Sequence, residues 1–224
     1  MKFRALKLPE KLLPYRGIIG FAVILMISNL FWKYNVLGDE SNTLVTFWGL
    51  DISAPFIIMA RHVSEVTTMI LNNLGWNISL NSANVVRHES GNSAQIIWAC
   101  TGLKQAYIFF CIIAFARGPW LKKLWYIPLG ILVVYLFNIF RITVIVAFID
   151  KHPDWFEFLH LYFLKYLFYG VIFGMWVYWE EKIAGKEDKR KNKKRRKYRN
   201  KHRKHKVTSY ISIICNLIKK DDHI

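Results

Sequence analysis

From Cys100 to Trp179 the chain is almost unbroken apolar sequence, interrupted only by the turn Arg117-Gly118-Pro119-Trp120 and the loop Asp150-Lys151-His152-Pro153-Asp154. A helix needs about 20 apolar residues to cross a bilayer. Leu121 to Ile149 and Trp155 to Trp179 both exceed that, and Cys100 to Ala116 approaches it. With 54% hydrophobic and 16% aromatic residues in 224, the chain fits the membrane class rather than that of a soluble domain. An earlier apolar run, Gly17 to about Phe31, follows a basic start in the manner of a signal peptide. It is long enough to span and no small-residue cleavage site follows, which predicts a retained helix. The expected fold is an all-α integral membrane protein, a small helical bundle of about four spans.

Charge orients these spans. Lys2, Arg4, Lys7, Lys11 and Arg16 precede the first, Arg117, Lys122 and Lys123 form a basic turn, and everything after Glu181 is strongly basic. The positive-inside rule puts all three in the cytoplasm, so both termini are expected there. The first span then ends outside, near Leu37, and the helix opening at Cys100 starts outside. Asp51 to Leu74 lies between these two outer points with too few residues for two crossings, and it carries Arg61, His62 and Glu65. It is expected to be an interfacial or re-entrant helix. Trp76 to Trp98 alternates Ile78 and Leu80, then Ala94, Ile96 and Trp98, about the turn-rich tract Glu89 to Ser93, which predicts a short outer β-hairpin.

The chain therefore divides into a basic cytoplasmic N-terminus over 1–16, a membrane-embedded domain over 17–179, a basic cytoplasmic tail over 186–206 and a segment over 207–224 with no assigned role. Much of the net charge of +17 lies in that tail. It has too little apolar content to fold by itself, and it suits anionic membrane lipid. Aromatics for base stacking are missing beyond Tyr198, so no nucleic-acid partner is expected. Cys100, Cys111 and Cys215 form neither a disulfide framework nor a CxxC pattern, and no nucleotide motif or metal-ligand cluster appears. No cofactor and no metal are expected.

The topology, argued from loop charges, brings three awkward residues into the outer half of the membrane. Cys100 opens its helix there and His160 stands little more than a turn into its span. Arg141 lies eight residues before Ile149, about 12 Å at 1.5 Å per residue. Cys111, amid Phe110, Ile112 and Ile113, reads as a packing residue. Cys100 differs because Thr101-Gly102 follows it, and glycine permits close backbone approach. Arg141 has apolar neighbours on both sides and needs an internal partner; Asn138, three residues earlier on the same face, is suited to hold it. His88 and His152 compete with His160 for the role of base. In a nucleophilic reading, Cys100 attacks a peptide carbonyl, an imidazole takes its proton and the Arg141 guanidinium stabilises the oxyanion.

Cys-Thr-Gly at the head of one membrane helix, Asn-x-x-Arg-Ile in the next and a histidine in the last resemble the exosortase/archaeosortase family of membrane-embedded cysteine transpeptidases. The resemblance covers roughly Gly75 to Trp179. Gly118-Pro119-Trp120, Ile127-Pro128-Leu129-Gly130 and the aromatic stretch Tyr166 to Trp179 look most like its compact Bacteroidetes members. It implies catalytic positions at Cys100, Arg141 and His160, supported by Asn138, Thr101 and Gly102. It also implies exported protein substrates with a C-terminal membrane-anchored sorting signal, cut at the outer face of the inner membrane. Two rival classes stand against an enzyme. One is a non-enzymatic membrane scaffold whose tail recruits lipid or a partner, and the other a transporter, which the single deep arginine without an acidic partner disfavours.

Overall fold

The computed structural model describes residues 16–39, 44–151, 153–155 and 158–186, with positions 190, 193, 195, 196 and 198; the side chains of Pro153, His160 and Leu161 are not included. The N-terminal residues 1–15, most of the basic tail and the 207–224 segment lie outside the described residues, as does His152. The chain divides into a unit ending at Glu180 and another from Glu181 onward, whose described tail positions have helical backbone.

The fold is mostly helical, with two small antiparallel sheets. In order it runs α1 (Arg16–Asn35), β1 (Val36–Gly38), β2 (Val45–Phe47), β3 (Leu50–Asp51), α2 (Ser53–Asn73), β4 (Ile78–Leu80), β5 (Val85–His88) and β6 (Ser93–Gln95). A 3₁₀ turn at Trp98–Cys100 leads into α3 (Leu103–Phe115), then α4 (Trp120–Lys151), a short turn at Pro153–Trp155, a π-helical turn at Phe158–Phe163 and α5 (Leu164–Tyr178). Among the described residues, α1 and α4 are long and apolar enough to cross a membrane, while α3 is apolar but shorter. The segment expected as a single fourth span is divided between the two short turns and α5.

The helices alternate in direction. Gly17 at the start of α1 lies against Trp176 and Glu180, and Trp179 Nε1 donates to Arg117 O at 2.7 Å, so the start of α1, the end of α3 and the end of α5 meet. At the opposite end, Trp98 Nε1 donates to Asp39 O at 3.1 Å and Ser90 Oγ to Asp150 Oδ1 at 2.5 Å. Both sheets and the Cys100 turn gather there. Where α3 crosses α4 the backbones approach closely: a Cβ on Gly130 would stand 2.1 Å from the Phe109 ring.

Two features depart from the expectations. The first sheet, β1-β2-β3, was not anticipated. Its second hairpin closes through Trp48 and Gly49, both at positive φ (50° and 80°), which is the backbone a two-residue primed turn requires. The expected hairpin is a three-stranded sheet instead, because β5 pairs with both β4 (Ile78↔His88) and β6 (Val85↔Gln95). Its strand Val-Val-Arg-His lacks strict alternation and so escapes a period-two reading. The segment expected as an interfacial or re-entrant helix is α2, one continuous helix packed into the protein along Phe56, Ala60, Val63, Ser64, Thr67 and Leu71, spaced for one helical face. Arg61 and Glu65 fall off that face and pair with each other at 2.7 Å.

Candidate active site

Cys100 closes the 3₁₀ turn, its N–H donating to Ile97 O at 2.9 Å. Thr101 is buried and its hydroxyl donates back to Trp98 O at 2.7 Å, tying the turn to itself. Gly102 then adopts φ +79°, a left-handed conformation that costs an L side chain strain, and α3 begins at the next residue. The glycine is also required by space, since a Cβ would stand 2.9 Å from Asn138 Cγ.

Asn138 is fully buried on α4 and donates through Nδ2 to the carbonyl oxygen of Cys100 at 2.9 Å. Its role differs from the one read in the sequence: the amide fixes the cysteine's backbone turn, where a hold on the Arg141 guanidinium was expected. Its Oδ1 is buried without a hydrogen-bond partner. Arg141 follows one turn later and is only 7% exposed. The Cys100 thiol and the Tyr169 phenol lie within its electrostatic reach. The turn that ends at Cys100 and the α4 residue Arg141 therefore lie near each other.

His160 lies in the π-helical turn at the sheet end. Leu159 and Leu164, on either side of it, share one apolar core with Ile139, Ile142, Ile145 and Val146 of α4, and Cys100 packs against that core. The backbone carrying His160 therefore runs beside the helix that carries Arg141. Two other histidines are engaged elsewhere. His88 is buried, its Nε2 2.9 Å from Val146 O and its Nδ1 3.6 Å from Asp150 Oδ1, so it anchors β5 to the end of α4. His62 Nε2 meets Tyr135 OH at 2.8 Å.

Cys111 is buried in α3, as expected of a packing residue. Sequence reasoning missed two contributors. Tyr169 of α5 approaches Arg141, but it stands in an aromatic run where nothing distinguishes its hydroxyl from its neighbours. α2 packs against the Trp98–Cys100 turn and buries two small polar residues, Ser64 and Thr67, on its inner face. No group of three His, Cys, Asp or Glu able to hold a metal ion occurs among the described residues.

Set against known families, residues 42–178 match the transmembrane exosortase family (Exosortase_EpsH). The chain belongs to the transmembrane exosortase family. Comparison with curated proteins and with solved structures returns no match. Family membership makes this a membrane protein, consistent with the apolar helices α1 and α4. The matched exosortase region contains every element of the site, from α2 through the Cys100 turn and Arg141 to Tyr169.

Proposed function

We propose that this exosortase-family protein is a cysteine transpeptidase of the inner membrane, with its site on the periplasmic side. It would cleave the C-terminal sorting signal of exported proteins through an acyl-enzyme on Cys100. The observation that carries the reading is the Asn138 Nδ2 bond to Cys100 O, which fixes the turn bearing the thiol to the helix bearing Arg141. A nucleophile and an electrostatic stabiliser held by one rigid bond meet the preorganisation that acyl transfer demands.

In this mechanism the Cys100 proton passes to the His160 imidazole and Sγ bonds to the scissile carbonyl carbon. The carbonyl oxygen becomes an oxyanion facing the Arg141 guanidinium. As the tetrahedral intermediate collapses, the C–N bond breaks and His160 returns the proton to the departing amine, leaving a thioester. An acceptor amine then attacks the thioester, its proton leaves through His160, and the Cys100 sulfur departs. Thr101, Gly102 and Asn138 hold the turn and touch no reacting atom. The alternating helices support an orientation in which the Arg16, Arg117 and Lys123 end is cytoplasmic and the sheet end is outside, with about four crossings.

The test is alkylation of Cys100 at neutral pH in membranes, in a Cys111→Ser and Cys215→Ser background, together with mass spectrometry of the chain after incubation with an exported protein ending in a membrane helix and basic tail. Rapid labelling that falls in His160→Ala and Arg141→Gln, and a substrate thioester on Cys100, are expected. A Cys100 that reacts alike in all three proteins and forms no thioester overturns the proposal and favours the scaffold reading.

A further inference from the structure

Beside the Cys100 turn lies a second feature that the peptidase chemistry does not use. A cavity of about 230 Å³ is lined by Trp32, Lys33, Trp98, Ala99, Thr101 and Lys104. It is smaller than the roughly 300–1,000 Å³ of pockets that take a drug-sized ligand, so it suits a small group. Ala99 and Thr101 are the two chain neighbours of Cys100, which places the cavity one residue from the candidate nucleophile on both sides.

The cavity gathers charge of one sign. Lys33 lies in the last turn of α1 and Lys104 in the first turn of α3, and both line the same space. The charges that bear most strongly on Lys104 are those of Lys165, near the start of α5, and Lys33. Two helices thus bring ammonium groups to one cavity, where Lys104 is partly buried and like charges repel. A cation in the first turn of a helix also opposes the helix dipole, so Lys104 gains nothing from its local structure. Among the residues that line the cavity, none carries a negative charge.

We infer that this cavity binds a phosphate-bearing group, held by the ammonium groups of Lys104 and Lys33 beside the turn that carries Cys100. Two separate point charges from different helices suit the dispersed oxygens of a phosphate, whereas a planar carboxylate is matched by the fork of an arginine. Trp32 and Trp98 in the lining belong to the residue type that sits at headgroup depth. The phosphate is that of a lipid headgroup or a free phosphate, and the two sources are separable by experiment. The inference goes beyond the peptidase reading and does not depend on turnover.

The test uses the full chain as Cys100→Ala in neutral detergent, with lysines amidinated by methyl acetimidate and quantified residue by residue by mass spectrometry. Site resolution keeps lipid bound elsewhere, at the basic tail for instance, out of the readout. Dihexanoyl phosphatidic acid is expected to reduce labelling of Lys33 and Lys104 at least fivefold, with Lys122 at the opposite end unchanged. Dihexanoylglycerol, which lacks the phosphate, is expected to do nothing. Inorganic phosphate protecting as well as the lipid identifies free phosphate as the source, and protection by the lipid alone identifies a headgroup. Lys104→Met should abolish protection at Lys33, and Lys104→Arg should retain it. Absence of protection by either phosphate, equal protection at Lys122, or protection at Lys33 that survives Lys104→Met overturns the inference.

Discussion

Lys123 and Arg141 are both buried cations on α4, 3% and 7% exposed, yet their surroundings have little in common. Lys123 Nζ donates to Ala114 O at 2.7 Å and Ala116 O at 2.6 Å, and it lies 4.5 Å from the centre of the Trp120 ring. It closes the last turn of α3, where exposed carbonyls and the helix dipole both favour a cation. Those partners never change charge. Arg141 faces Cys100 and Tyr169, two groups that can become anions. Burying either cation costs several kcal/mol before its partners are counted. At one end of α4 that cost is offset by fixed backbone; beside Cys100, two ionisable groups lie close enough to add to the offset whenever either becomes an anion. The first arrangement is insensitive to protonation, and the second responds to it.

The sharpest way to break this comparison is at the nucleophile. Cys100→Ala should lower transpeptidation at least about 10,000-fold, while Cys111→Ser, changed within the packed interior of α3, should stay within about threefold once protein amount is matched. Product formation measured by mass spectrometry decides it. Equal losses in both would return Cys100 to a packing role.

Histidines give the next contrast. Removing a general base costs about 100- to 10,000-fold in rate, and that loss is expected for His160→Ala. His88→Ala should instead lower stability by about 1–3 kcal/mol, because the Val146 and Asp150 groups lose their partner, and leave the rate per folded molecule within about threefold. Rates and thermal melts on the same preparations separate the two effects, and the opposite pattern would move the base to the second sheet.

The two cations themselves are then compared. Arg141→Gln should reduce kcat about 100- to 1,000-fold with the substrate KM little changed, as for loss of an oxyanion donor. Lys123→Met should cost about 1–3 kcal/mol of stability through the two carbonyls it abandons, with kcat unaltered. The smallest effect concerns the turn. Gly102→Ala should destabilise by about 1–3 kcal/mol through its φ of +79° and its collision with Asn138. In the double variant Gly102→Ala with Asn138→Ala, part of that cost should disappear, a coupling that chemical denaturation can measure.

Much of the candidate site was legible because its signals are violations of local expectation. An arginine and an asparagine inside an apolar run, or a Cys-Thr-Gly step at the head of a membrane helix, stand out without any coordinates. The partner of Asn138 was less legible. One turn of helical spacing brings it near Arg141, but only the crossing of α3 and α4 shows that its amide reaches the Cys100 carbonyl. Tyr169 and the pair Lys33 and Lys104 were illegible for a related reason: each residue is ordinary in its own segment and becomes informative by convergence. The first sheet escaped because strands of two and three residues are too short to establish a period.

By itself, then, the sequence determined the membrane class, the order of the long helices and the identity of the thiol and the buried guanidinium, because hydrophobic periodicity and misplaced charge are properties of the chain. Tertiary structure alone decided that α2 packs one face into the protein, that His88 is an anchor, and that Lys33 and Lys104 line one cavity. Those facts depend on distances between segments far apart in the chain, and such distances are set by which surfaces pack together.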